Sequence, residues 1–222
     1  MPKLTWDAAA DRLYETGISN MTLYPISSGA YPVGYAFNGV TAFTESPSGA
    51  EASPVYADNI KYLNLMSVEE FSATLEAIQW PNEFNQCLGI ATPFPGVTVG
   101  QQAHKTFGLA YKTIIGSNED GNDHDYIIHL VYGCFAAPTE KAYATINESP
   151  ENMTFSWTLT TTPVPVTGYK DIAHLEITAS KANATKLAAF EEILWGRDAS
   201  TGVTPLVPRL PLPNEVKTLL TA

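Results

Sequence analysis

Between His104 and Phe135 the chain writes one pattern twice around an acidic tip, and this stretch constrains the fold more than any other. Along the first arm, Lys105 to Ile115, Phe107, Leu109, Tyr111 and Thr113 fall on one side and Thr106, Ala110, Lys112 and Ile114 on the other. A period of two with one more apolar face belongs to a β-strand. The tip, Gly116 to Asp125, is nearly all turn-forming or charged, and Asp120-Gly121 supplies a good turn pair. The return arm, Tyr126 to Phe135, is again apolar. The two arms predict a long antiparallel hairpin, and one this apolar needs further strands or further copies of the chain to cover it.

The 222 residues are enough for one large β domain, or one domain with arms, around a sizeable core. Sixteen prolines and many Ser and Thr residues favour strands, turns and extended arms over a helical bundle. Twelve basic against 23 acidic residues give a net charge of -11, which argues against binding nucleic acid by phosphate neutralisation. Cys87 and Cys134 make no disulfide framework, and Met1 to Tyr14 lacks the apolar stretch of a signal peptide. No run reaches the length of a membrane-spanning helix. The expectation is a soluble protein folded in a reducing cytoplasm.

In chain order, Leu4 to Tyr14 fits a short helix or an ordered arm equally well. Met21 to Tyr24 is a short strand closed by Pro25, and Tyr35 to Glu45 resumes a strand with a turn or bulge at Asn38-Gly39. Glu45 to Asn59 has no usable periodicity and reads as a long loop, of the kind that orders against something. Ile60 to Leu65 is a strand. From Val68 to Trp80 two periods coexist: Val68, Phe71, Leu75 and Ile78 stand at helical spacing behind a Ser67–Glu70 capping box, while Phe71, Ala73, Leu75 and Ala77 alternate as a strand. The local pattern alone tilts to helix. Pro81 to Cys87 opens a short helix that stops at Gly89, and Thr92 to Gly100 is a Pro/Gly linker. Asn147 to Asn152 is a turn, Met153 to Thr162 a strand with Phe155, Trp157 and Leu159 on one face, and Ile172 to Ser180 a strand with His174 and Glu176 on its polar face. Ala184 to Leu194 is the clearest helix, its stripe of Leu187, Phe190 and Leu194 ending at Gly196. Pro205 to Leu212 is an extended arm, and Asn214 to Leu220 adds a last turn.

The residues that could carry chemistry read as structural. His104, His124, His129 and His174 show no close ligand spacing. The acidic tip resembles a calcium loop but lacks the spaced Asp ladder with a closing Glu, so it reads as a solvated turn. Asn20, Asn147, Asn152 and Asn183 match the glycosylation acceptor pattern by chance, and both cysteines read as small core residues. Glu69-Glu70 and Glu191-Glu192 read as solvated faces, and there is no phosphate loop, nucleophile elbow or zinc pair. The sequence assigns no catalytic, cofactor-binding or metal-ligating residue and no cofactor. It is not expected to be an enzyme.

Gly39 to Glu51, with Tyr56 to Leu63, resembles the major tail (tail tube) proteins of long non-contractile-tailed bacteriophages. Glu70-Phe71 through Glu76-Ala77 to Pro81-Asn82-Glu83-Phe84, the arm His129 to Gly133, and Pro208 to Val216 are similar to that family too. The resemblance implies a mainly β chain, an antiparallel β-sandwich or barrel with one flanking α-helix and extended loops and arms. It implies a single tail tube domain over 1–222, with an N-terminal arm at 1–20, a long inter-subunit loop at 45–59, the helix at 184–195 and a C-terminal arm at 203–222. It turns the Phe71 to Trp80 ambiguity towards strand.

By the same resemblance, six copies form a ring, and rings stack into a hollow tube in the virion tail, built in the host bacterial cytoplasm. A tape measure protein fills the lumen, and tail terminator and distal tail proteins close the ends. DNA passes through without sequence-specific binding, and the protein does not insert directly into a membrane. An acidic wall suits such a channel, because lysine-rich walls would hold phosphates by counterion release. Two alternatives stand beside this reading. One is a β-sandwich module binding carbohydrate or protein, with exposed Trp and Tyr as a stacking platform, although Trp6, Trp80, Trp157 and Trp195 are far apart in sequence and each also has a core or interface reading. The other is the tube protein of a contractile injection system.

Overall fold

The computed structural model describes residues 6, 12–143, 145–146, 152–199 and 204–221. It is mainly β and antiparallel. The twelve strands among the described residues are β1 (Leu13–Pro25), β2 (Tyr35–Ala36), β3 (Val40–Glu45), β4 (Ala52–Ala57), β5 (Ile60–Met66), β6 (Ser72–Ala77), β7 (Ala91–Phe94), β8 (Val97–Val99), β9 (Phe107–Ser117), β10 (Gly121–Ala136), β11 (Phe155–Thr161) and β12 (His174–Thr178). Two helices, α1 (Ala184–Trp195) and α2 (Pro213–Thr221), follow them.

The apolar hairpin is the spine. β9 and β10 pair with Ile127 opposite Thr113, His129 opposite Tyr111 and Val131 opposite Leu109. At the tip the Ser117 hydroxyl accepts the Asp120 amide at 2.9 Å, and Gly121 takes the left-handed φ of 61° that starts the return strand. The turn is therefore tighter than the Gly116–Asp125 tip read from the sequence, with a register shift between Gly121 and Asp125 absorbing the extra residues.

β10 is long enough to use two partners on its far side. Ile127 to Val131 pair with β12, whereas Cys134 to Ala136 pair with β11. The change falls at Gly133, where φ is 61° and a Cβ would lie 2.2 Å from the Thr162 carbonyl oxygen. The whole order is β2-β1-β9-β10-β11-β6-β3, with β12 alongside β10.

Alternation gives this sheet two apolar faces. On one, Leu23, Phe107, Leu109 and Val131 share a core with Leu75, Trp157 and Leu159, so the sheet curls on itself and β3 comes to lie beside β1. Trp157 sits at the centre, edge-on to Phe84 and Trp80 at ring-centroid distances of 5.3 and 5.5 Å. The 3₁₀ turn Asn82–Leu88 supplies Phe84 and Cys87 and ends at Gly89 (φ 66°), as the sequence expects. On the other face Tyr24, Ile128, Leu130 and Tyr132 are covered by Leu187, Phe190 and Leu194 of α1, by Leu210 and by Val216 of α2. The α1 boundaries follow its caps: Asn183 Oδ1 accepts the amides of Thr185 and Lys186 at 3.1 and 3.2 Å, and Gly196 takes φ 85°. One of the four chance glycosylation matches is thus a helix cap.

Several segments differ from the sequence reading. The Ser67–Glu70 capping box does not form, because Ser72–Ala77 is the strand β6, zipped between β3 and β11 with Ala73, Leu75 and Ala77 buried. Cross-strand partners distant in sequence override a local helical period. The 45–59 segment is loop only in its first half: β4 pairs with β5 to make a separate two-stranded hairpin. The Thr92–Gly100 linker contains the β7–β8 hairpin. The strand read at Met21–Tyr24 is the end of a thirteen-residue β1 running the length of β9. The Pro-rich segment near the C-terminus is extended but lies on the sheet: Leu210 bridges Tyr31, and the Tyr132 hydroxyl donates to the Pro211 carbonyl at 3.0 Å. The final turn is the nine-residue α2. Much of the 1–20 arm and most of the Asn147–Asn152 turn lie outside the described residues.

Candidate functional site

Two histidines far apart in the sequence meet at one end of the curled core. His129 lies on β10 opposite Glu176 of β12, and Val131 lies opposite His174, so both imidazoles project from the same face of adjacent strands. Glu45, the last residue of β3, reaches the same place. Glu15 approaches from β1, which pairs with β9 at Ile115.

The rings are held in a column. Tyr111 stacks on His129 with centroids 4.5 Å apart and 4° between planes, and His129 stacks parallel to His174 at 5.4 Å. Phe71 closes the column over His174 at 4.8 Å. His129 Nδ1 faces His174 Nε2 at 3.2 Å. Glu45 Oε1 is 3.9 Å from that Nδ1 and 3.6 Å from that Nε2. Glu176 Oε1 lies 3.8 Å from His129 Nδ1.

Around these atoms the protons are assigned by chemistry. The Tyr111 hydroxyl donates to Glu45, and burial, reinforced by Glu45, raises its pKa, so it stays a donor. The Thr113 hydroxyl donates to Glu15 Oε1 at 2.6 Å and has its lone pairs left for His129 Nε2 at 2.9 Å. His129 Nε2 therefore carries hydrogen and its Nδ1 is bare. Burial, helped by the neighbouring His174, lowers the His129 pKa, which keeps the ring neutral near neutral pH although three carboxylates pull the other way. The arrangement can share a proton between two imidazoles or hold a cation beside them.

The remaining residues weighed in the sequence are scattered. His104 packs on Phe135 at 5.2 Å, and His124 pairs with Asp120 at 2.9 Å on the solvated tip. That contact, with the Ser117 hydroxyl, holds the Asp120 carboxyl below its usual range. Asp125 Oδ1 accepts the amides of Tyr126 and Ser180, so half the tip's acids serve local structure. Burial pushes the Cys87 thiol up to about 12 and that of Cys134 up as well, so both are protonated core residues rather than nucleophiles. Trp157 is in the core, Trp80 donates to Asn85, and Trp195 donates to the Asn20 carbonyl.

The sequence places His174 and Glu176 on one polar strand face, and alternation alone makes that legible. It gives no sign that β12 lies beside β10, which is what brings His129 to them. Glu15, Glu45 and Thr113 are added by β1, β3 and β9, and no local spacing links them to the histidines.

A second feature stands apart from the cluster. The β4–β5 hairpin is hydrogen-bonded as a sheet of its own, and Tyr56, Ile60, Tyr62, Leu65 and Met66 on it are between 59% and 72% exposed. It joins the body where Ser48 bridges Glu70 and Ser46 bonds Ser72, next to Glu45 and Phe71 of the cluster.

No family model matches the chain, and no curated protein matches it. Among solved structures, a chain in the "Cryo-EM structure of the anti-feeding prophage (AFP) baseplate, 6-fold symmetrised" is similar at a TM-score of 0.38 and 10% identity, over 78% of this chain and 97% of that one. At that score and identity the likeness assigns the chain neither a family nor a function.

Proposed function

We propose that this chain is a structural subunit of a phage tail tube, self-assembling into six-membered rings that stack into a hollow conduit for DNA. The reading begins from the resemblance carried by Gly39 to Glu51, Tyr56 to Leu63 and Pro208 to Val216. The β4–β5 hairpin is the observation that supports it most. An isolated two-stranded hairpin is marginal in water, and this one displays a run of large apolar side chains with no partner strand beyond its own pair among the described residues. Burying side chains such as Ile60, Leu65 and Met66 against a neighbour yields roughly 1.5–3 kcal/mol each. A second hairpin, β7–β8, exposes Phe94 by 60% and Val97 and Val99 by 39% and 40%.

In this role the protein is a virion component with no catalytic task, and its companions are further copies, a tape measure protein inside and terminator and distal tail proteins at the ends. A carbohydrate-stacking module has less to build on, since Trp157 is buried and Trp80 and Trp195 are tied to the body by hydrogen bonds, which leaves Trp6, 74% exposed, as the open indole of the four.

Light scattering over a concentration series, with negative-stain microscopy of the product, tests the reading. Rings or tubes are expected from the full chain. A variant with residues 52–66 replaced by a short Gly/Ser linker should melt like the parent and stay monomeric. A parent that is monomeric at every concentration, or a variant that assembles as well as the parent, would overturn the proposal.

A further inference from the structure

We propose that His129 Nδ1, His174 Nε2 and the Glu45 carboxylate form a binding site for a divalent transition metal of the zinc class. The inference stands on the cluster's geometry and does not depend on the assembly reading. The three ligand atoms form a triangle with edges of 3.2, 3.6 and 3.9 Å. Ligands about 2.0–2.1 Å from a tetrahedral zinc ion lie ~3.4 Å from one another, so the triangle is of the right size with small adjustments. Two imidazoles and a carboxylate suit zinc, cobalt or nickel; calcium and magnesium take oxygen ligands instead. Glu176 Oε1, 3.8 Å from His129 Nδ1, borders the remaining position.

The surroundings are built as an outer shell. A ligating histidine commonly donates its second ring N–H to a carboxylate or hydroxyl, which fixes its tautomer. Here His129 Nε2–H is donated to Thr113, and Thr113 to Glu15, leaving the Nδ1 lone pair free on the side that faces His174 Nε2. Tyr111 orients Glu45 by its hydroxyl and His129 by stacking, and Phe71 orients His174. Without a metal, a proton on His174 Nε2 can bridge to His129 Nδ1. Coordination requires that proton to move to His174 Nδ1, where Glu176 Oε1 is 4.0 Å away, and no net proton need be released.

A bound ion would join β3, β10 and β12 at the point where the chain leaves Glu45 for the β4–β5 hairpin and returns through Phe71. The expected consequence is a firmer root for that hairpin.

The test uses the untagged full-length protein after chelator treatment, with zinc chloride for calorimetry and cobalt chloride for absorption spectroscopy. The expected result is one zinc ion per chain, a raised melting temperature, and a tetrahedral cobalt spectrum with histidine ligation; magnesium chloride should leave the melting temperature unchanged. Glu45→Gln and His174→Gln should abolish the saturable site. Thr113→Val, which removes the tautomer relay but no ligand, should weaken zinc by about tenfold or more. If a ligand variant misfolds, the cobalt spectrum and zinc-induced shifts of the His129 and His174 ring nitrogens in the parent still decide. The proposal falls if the parent binds no zinc, if both ligand variants bind it as tightly as the parent, or if those ring nitrogens do not move.

Discussion

Gly133 marks the point at which β10 exchanges β12 for β11, and a single side-chain hydrogen there decides whether the exchange is possible. Its φ of 61° is unfavourable for any residue with a Cβ, and that Cβ would meet the Thr162 carbonyl oxygen at 2.2 Å. Gly121 has the same φ but nothing within 4 Å. Gly121→Ala should therefore cost only the left-handed penalty of roughly 1–2 kcal/mol, while Gly133→Ala should cost clearly more because backbone must also move. Urea unfolding of the two variants separates the contributions; equal losses would mean that the bulge yields without strain. Residue identity made some positions readable beforehand. Leu187, Phe190 and Leu194 announce a buried stripe, and Phe155, Trp157 and Leu159 a buried strand face. His129 gave no such signal, because its neighbours in space come from four other strands.

Elements were legible where their stabilising contacts are local. α1 combines a periodic stripe, an Asn cap and a Gly stop within fourteen residues of sequence, Asn183 to Gly196. β6 offers the same apolar residues to either period, and only pairing with β3 and β11 decides between them. β4, β7 and β8 were missed because none of their residues is buried within this chain, so no alternating core face marks them. The C-terminal segment shows the reverse case, for its four prolines disguise a strap that carries core residues. Leu210 and Val216 are each 2% exposed and cover the Tyr132 face. Losing a buried large side chain costs about 2–5 kcal/mol, and a domain has roughly 5–15 kcal/mol in total. Truncation before Pro205 removes both, together with Pro211 and all of α2. The truncated chain should lack a cooperative thermal transition, whereas the 52–66 replacement should keep it. A truncated protein that melts like the parent would show that the strap is dispensable to the fold.

At the scale of the whole molecule, charge and shape pull on assembly in opposite directions. The exposed apolar hairpins favour contact between copies, while a net charge of -11 on each copy opposes it. The acidic tip concentrates this repulsion, yet its four carboxylates are not equivalent. Asp120 is paired with His124 and Ser117, and Asp125 holds the amides of Tyr126 and Ser180, so amides there would disturb the turn. Glu119 and Asp123 are exposed, and Glu119→Gln with Asp123→Asn removes charge while leaving those contacts in place. Between about 0.01 M and 0.1 M salt the Debye length falls from about 30 Å to about 10 Å, which screens charges on neighbouring copies but not the hairpin contacts. The protein concentration at which scattering rises should therefore fall with added salt for the parent. It should start lower and vary less for the double variant if the tips of neighbouring copies lie within that range of one another. An unchanged salt dependence in the double variant would place the tip away from every contact between copies, and the repulsion would then come from other exposed carboxylates, among them Glu51, Asp58, Glu69 and Glu70 beside the β4–β5 hairpin.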